Sequence, residues 1–179
     1  VTTRRVTIPI GAVLDLGGIA KGRAADLVCG WLADRCDATI VVDVGGDLRV
    51  RNAASGEAVT VHVVDPHDAH RSLLSWNVSN GGVATSSTLK RCWRHVDGRR
   101  VHHLVDPATG APTDGPLQVS VLAGSAADAE VLTKVAMVGG VDAVRGWVSG
   151  SIQVAVVDEA RRAILVRDGL MRPLVGSLR

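Results

Sequence analysis

The sequence predicts an α+β fold in which a mainly antiparallel sheet packs with helices. Two observations carry this. The apolar patterns run in the order one helix, many short strands, helices, then strands, with no regular β-α-β alternation. Of the 179 residues, 46% are hydrophobic, which is enough for one domain with a core of its own. No repeat, linker or low-complexity segment divides the chain, so 1–179 is read as a single unit.

Each element has its own warrant. The turn Gly17-Gly18-Ile19-Ala20-Lys21-Gly22 precedes a helix over 21–36, whose apolar stripe is Ala25, Val28, Cys29, Leu32 and Cys36. Residues 38–44 read as a buried strand that ends at Gly45-Gly46-Asp47, and 48–51 as another short strand. Alternating polarity predicts strands over 59–64, 73–78, 82–86 and 101–105, with Asp97-Gly98 as a hairpin-type turn. Strand 118–123 leads into a helix over 125–138, capped by Ser125 with Asp128 in its first turn. A second short helix over 141–148 and a hairpin of 153–157 with 163–166 complete the pattern.

Composition excludes several classes. The net charge is only +2 and the arginines are scattered, while Phe and Tyr are absent beside four Trp. This gives no case for a nucleic-acid electrostatic footprint, and stacking platforms for bases are scarce. No apolar run approaches the roughly eighteen residues that span a bilayer. The three cysteines cannot all pair, and no C-x-x-C occurs, so buried free thiols are expected rather than a metal or redox site. No signal peptide is visible. The chain starts at Val1 rather than Met, so a trimmed or processed N-terminus is expected, with its targeting information lost.

Five segments can carry chemistry. Asp15-Leu16-Gly17-Gly18-Ile19-Ala20-Lys21-Gly22 combines glycines, a helix N-terminus and a point charge, which suits a phosphate; the alternative is a tight turn with Lys21 in solvent. Asp43-Val44-Gly45-Gly46-Asp47 is a carboxylate-flanked double glycine, or simply a β-turn. Ala84-Thr85-Ser86-Ser87-Thr88 offers adjacent hydroxyls to phosphate or ribose oxygens, or to ordinary turns. His102-His103-Leu104-Val105-Asp106-Pro107 puts an imidazole on a strand end beside a carboxylate pinned by proline. Adjacent strand residues face opposite ways, so one histidine alone faces a given site. Glu130 and Lys134 lie about 40° apart around a helix and read as a surface ion pair. His62, His67 and His70 form a loose group that matches no standard metal spacing.

Taken together and in order, these segments resemble the ApbE-type flavin transferases (FAD:protein FMN transferases). The matching pieces are 15–22 with Asp26, Val44-Gly45-Gly46-Asp47, Ala84-Thr85-Ser86, His103-Leu104-Val105-Asp106-Pro107 with Thr109, Gly110 and Pro112, and the Glu130 helix. The resemblance implies a T-fold-like core, of which this chain is the C-terminal portion. It implies attack of a Thr or Ser hydroxyl of an acceptor flavoprotein on the FMN-side phosphorus of FAD, with release of AMP. By position, Asp15, Gly17, Gly18, Lys21, Gly45, Gly46, Asp47, Thr85, Ser86, His103, Leu104 and Asp106 would line the FAD site. His103 would take the hydroxyl proton as the catalytic base. The Gly18 carbonyl and Glu130 would face a Mg²⁺ ion that offsets phosphate charge.

The chain departs from the family pattern in three places. Where the family has Asp and Thr oxygen ligands on the helix, this sequence has Glu130 and Lys134. A protonated lysine has no lone pair for a metal, so Lys134 is expected to take the ion's place with its own charge. The Ser-Gly-Asp-Tyr of the family is Ser86-Ser87-Thr88-Leu89 here. The family also carries a substantial segment before the Asp15 motif; it does not occur in these residues and is an expected partner of this core. Two other readings share the pocket: an FAD pyrophosphatase giving FMN and AMP, and a non-catalytic FAD-binding module. The resemblance leaves a bacterial cytoplasmic and a membrane-associated extracytoplasmic location both open.

Overall fold

The computed structural model describes residues 5–174. Its first element is helix α1 (Ala20–Ala33), followed by β1 (Ile40–Val44), β2 (Asp47–Arg51), β3 (Val59–Asp65), β4 (Asp68–Val78), β5 (Asn80–Ser87), β6 (Cys92–Arg94), β7 (Arg100–His102) and β8 (Gln118–Ala123). Helix α2 (Ala126–Arg145) leads to β9 (Gln153–Val157), β10 (Ala163–Arg167) and β11 (Leu170–Pro173). Seven strands form one sheet in the order β1-β2-β5-β8-β9-β10-β11. Every pairing within it is antiparallel. The α+β expectation therefore holds.

Both faces of this sheet are covered, and strand alternation explains how. Ala84, Val119, Val121, Val154 and Val156 share one apolar cluster with Ala129, Leu132, Ala136 and Met137 of α2. Val83 and Ala155, one residue out of phase, join Val61, Val63, Trp76 and Val78 of the β3–β4 hairpin on the other face. Strands with cover on both sides carry apolar residues at consecutive positions, as β8 and β9 do. Gln118 Nε2 donates to the Val64 carbonyl (2.9 Å) and Trp76 Nε1 to Gln153 Oε1 (3.1 Å), which fixes the hairpin on that face.

Helix α1 packs against α2 and against β1–β2. The stripe it buries is Gly22, Ala25 and Cys29, all small, whereas Val28 and Cys36 are exposed. This corrects the wider stripe expected from sequence. The helix ends at Ala33, so Cys36 falls in the following turn, and the small residues bring the two helix backbones together. A Cβ on Gly22 would lie 2.3 Å from the Ala126 carbonyl oxygen, and one on Gly82 would lie 2.2 Å from the Ala126 nitrogen. Only glycine permits these approaches.

The two helices expected over 125–138 and 141–148 are both present: α2 consists of two helical segments that meet at Gly140, whose φ of 74° and ψ of -179° are not helical. Ser125 caps it as expected: its Oγ accepts from Asp128 N–H (3.0 Å) and donates to Asp128 Oδ2 (2.7 Å). The short β6 and the C-terminal β11 have no counterpart among the predicted strands. No helix among the described residues is long and apolar enough to cross a membrane. The three cysteines are free, with Cys29 buried and its thiol pushed up by burial.

Candidate functional site

The N-terminus of α1 begins with a local turn. Asp15 Oδ1 accepts from Gly17 N–H (2.7 Å), and the Leu16 carbonyl accepts from Ile19 and Ala20 N–H. Ile19 supplies no side-chain cap to α1. The cap comes instead from α2: Gly22 N–H donates to Glu130 Oε2 at 2.8 Å. The reverse arrangement holds at the other helix. Ala126 and Ala127 N–H of α2 donate to the two carboxylate oxygens of Asp26 on α1, at 2.9 and 3.0 Å. Each helix thus caps the other with a carboxylate, where a negative charge complements the helix dipole. Arg49 Nε, 3.2 Å from Asp26 Oδ1, balances that carboxylate.

Around Glu130 the capping carboxylate becomes part of a four-charge cluster. Lys21 Nζ lies 2.5 Å from Asp47 Oδ2 and 3.7 Å from Glu130 Oε1. Lys134 Nζ lies 3.3 Å from the same Glu130 oxygen. The carboxylate side chains are 1% and 0% exposed for Asp47 and Glu130, whereas Lys21 and Lys134 are 32% and 27% exposed. The cluster is therefore anionic at its base and offers its cations toward solvent. Burial pushes the Asp47 carboxyl up, against the pull of Lys21. Burial pushes the Lys134 ammonium down, against Glu130 and Asp47. The expected surface pair of Glu130 and Lys134 is corrected on one side: the spacing is right, but α1 covers Glu130.

The double glycine closes over this cluster. Gly45 and Gly46, with φ of 63° and 91°, form the two-residue β1–β2 turn that left-handed geometry reserves for such residues. Asp43 Oδ1 accepts from Gly46 N–H (2.7 Å), and a Cβ at Gly45 would touch the Lys21 stem at 3.8 Å. The turn reading of this motif is borne out, and the turn lies beside the Lys21–Asp47 pair.

Thr85 and Ser86, grouped by sequence, separate in space. Ser86 is buried against α2, its Oγ donating to Thr133 Oγ1 (2.7 Å), which donates to the Glu130 carbonyl (2.7 Å). Thr85 points to the other face and pairs with Ser120 Oγ across β5–β8 (2.8 Å). Strand alternation puts only Ser86 on the side of Glu130. Ser87 and Thr88 serve the following turn, Ser87 Oγ accepting from Leu89 N–H.

The two histidines also divide. His102 is tied to its own loop, with Nε2 3.1 Å from the Thr113 carbonyl and Nδ1 accepting from Leu104 N–H at 3.3 Å. His103 is exposed. Partial desolvation holds its pKa below the ordinary value, helped by the positive charges of Arg91 and Lys134; a hydrogen bond to the Arg91 backbone opposes this. His103 thus lies within the field of Lys134. The Leu104 carbonyl is taken by Thr113 N–H (3.0 Å), and its side chain is buried in the core. Asp106 closes its own turn, accepting from Ala108 N–H on Oδ1 (2.8 Å) and from Gly110 N–H on its carbonyl (2.8 Å). These two expected site residues spend their visible hydrogen bonds on holding the loop.

Sequence reasoning missed Thr113, whose Oγ1 donates to the Met137 carbonyl (2.9 Å) and so ties the histidine loop to α2. It also missed Arg91, a left-handed residue at φ 51° beside His103. Neither lies in a motif; only the fold brings them there. The three histidines His62, His67 and His70 make no metal group, and no cluster of three or more His, Cys, Asp or Glu suited to a metal occurs among the described residues.

A Mg²⁺ ion prefers about six oxygens at about 2.0–2.1 Å. Here Glu130 Oε2 is committed to Gly22, and Glu130 Oε1 and Asp47 Oδ2 face ammonium groups. One buried carboxylate oxygen, Asp47 Oδ1, is left without a partner. Gly18, whose carbonyl was expected at the ion, stands in the open turn before α1. This donor set does not fit the ion.

Fold and site together define an antiparallel α+β protein with a buried, reciprocally capped helix junction that reaches solvent through two lysines. The model of the ApbE family matches residues 5–157, and the chain belongs to that family. It is 35% identical over 133 residues to an FAD:protein FMN transferase of Treponema pallidum, covering 68% of this chain and 36% of that protein. It is 34% identical over 125 residues to one of Klebsiella pneumoniae, covering 69% and 38%. The chain thus spans little more than a third of these relatives. The crystal structure of the ApbE protein of Thermotoga maritima superposes with a TM-score of 0.73 at 31% identity, covering 87% of this chain and 51% of that one. The apo flavinyl transferase ApbE of Pseudomonas stutzeri shares the fold at a TM-score of 0.68 and 23% identity, covering 89% and 49%.

Proposed function

We propose that this chain forms the phosphate-side wall of an FAD:protein FMN transferase. FAD is the substrate, and the partner is a flavoprotein that presents a Thr or Ser hydroxyl. The observation that carries the reading is the pair of half-exposed ammonium groups, Lys21 and Lys134, held over the buried Asp47 and Glu130 beside the double-glycine turn. Such a fixed positive pair, with little reorganisation left to pay, suits the charge that develops in phosphoryl transfer.

In the reaction, the acceptor oxygen attacks the FMN-side phosphorus. A new P–O bond forms, the bond to the AMP phosphate breaks, and AMP leaves with the electron pair. His103 takes the hydroxyl proton. Its lowered pKa keeps the imidazole neutral at pH 7, the form a base requires. Lys21 and Lys134 stabilise charge on the phosphate oxygens.

The test is incubation of the protein with FAD and an acceptor that carries an exposed Thr. A fluorescent acceptor with one AMP released per flavin attached supports the transferase. Free FMN plus AMP, with no labelled acceptor, replaces it by a pyrophosphatase, and intact bound FAD replaces it by a binding module.

A further inference from the structure

Resting on the transferase reading, we infer that Lys134 stands in the place of a divalent cation, so that this chain supplies its phosphate counter-charge from its own side chain. Three observations point the same way. First, the oxygens a metal would need are in use. Glu130 Oε2 holds the Gly22 N–H at 2.8 Å, Glu130 Oε1 faces Lys134 at 3.3 Å, and Asp47 Oδ2 faces Lys21 at 2.5 Å. The neighbouring hydroxyl, Thr133 Oγ1, is fully buried and engaged by Ser86 and the Glu130 carbonyl. Second, the cluster is already neutral: two carboxylates stand against two ammonium groups, and a dication would meet both cations at close range. Third, Lys134 springs from α2 one turn beyond Glu130. Its side chain is 27% exposed where Glu130 is 0% exposed, so the charge is presented outward from a buried anchor.

The chemistry has a clear consequence. An ammonium is a donor with no lone pair and stays bound when chelators are added. The orphaned Asp47 Oδ1 is then a leftover acceptor beside Lys21 rather than the first ligand of an ion.

Mn²⁺ binding to the full chain, followed by the electron paramagnetic resonance of the free ion, tests this directly. The wild type is expected to bind no Mn²⁺ in the micromolar range. Lys134→Thr, which replaces the ammonium by a hydroxyl oxygen, is expected to bind Mn²⁺ at least about tenfold more tightly, and adding Glu130→Gln is expected to remove that gain. Should Lys134→Thr fail to fold by circular dichroism, Lys134→Gln takes its place. Tight stoichiometric Mn²⁺ on the wild type that Glu130→Gln abolishes overturns the inference, as does a folded Lys134 variant that binds no better than the wild type. FAD affinity is read in the same samples with EDTA and with Mg²⁺. It is expected to be insensitive to EDTA in the wild type and to become Mg²⁺-dependent in Lys134→Thr. If no protein binds FAD in either buffer, the transferase reading fails, while the Mn²⁺ result still decides the question of the cation.

Discussion

The helix junction and the histidine loop are both expected to border the same ligand, yet they are built by opposite means. At the junction, Glu130 reaches Gly22 across 108 positions of sequence, and Asp26 reaches Ala126 across 100. Carboxylates are buried there, and Glu130, Asp26 and Asp47 each have a partner on another element. In the loop, Asp106 binds Ala108 and Gly110, and His102 binds Thr113 and Leu104. Apart from the Thr113 tie to the Met137 carbonyl, the hydrogen bonds named for the loop are local, and His103 is exposed. This chain fixes buried charge through tertiary contacts and shapes the histidine loop mainly through contacts within the loop itself. Damage to the first should cost chiefly stability, and loss of His103 from the second should cost chiefly rate.

The largest expected effect breaks the junction. Glu130→Ala removes the cap of α1 and leaves Lys21 and Lys134 without their shared carboxylate. Losing one partner of a buried pair costs about 3–5 kcal/mol, to be read by urea denaturation. Gly22→Val inserts side-chain atoms where even a Cβ would lie 2.3 Å from the Ala126 carbonyl. An overpacking loss of about 1–3 kcal/mol is expected from the same measurement. Asp26→Ala strips both N–H partners from the start of α2, at about 1–2 kcal/mol. If Asp26→Ala proved as costly as Glu130→Ala, the two caps would be equivalent and the added weight of the lysine cluster would vanish.

The loop should respond in the other currency. His103→Ala is expected to lower the rate of flavin transfer by about 10²–10⁴ with an unchanged denaturation midpoint; a matching loss of stability would erase the contrast between the two regions. The pH profile sharpens it further. His103 must be neutral to accept a proton, and its pKa is depressed, so transfer should stay flat through neutral pH and fall only on the acid side, below about 6.5. Arg91→Gln removes one of the depressing charges, so the acid limb should move to higher pH. The smallest effect is Asp106→Ala, which loses one side-chain hydrogen bond to an exposed turn, worth about 0.5–1.5 kcal/mol at most.

Much of the frame was legible from the residues. Antiparallel order followed from the sequence of apolar patterns, the Gly45-Gly46 turn from its residue types, and the Ser125 cap from its spacing to Asp128. Each depends on neighbours in the chain. The short β6 escaped because three residues carry too little alternation to register, and α1's stripe was drawn too wide because period alone does not say how close the partner helix comes. Thr85 and Ser86 were grouped because adjacency in sequence suggests adjacency in space, which a strand denies.

The sequence by itself determined the family, the antiparallel α+β plan and which residue types stand at the motif positions, because these rest on local pattern and on motif order. It also determined that Lys134 occupies a position where an oxygen ligand was expected. Only the tertiary structure decided that Glu130 is buried, that it caps α1, and that Lys21, Asp47, Glu130 and Lys134 form one neutral cluster. Burial and charge pairing depend on which distant backbone closes over a side chain, and no spacing along a single helix carries that information.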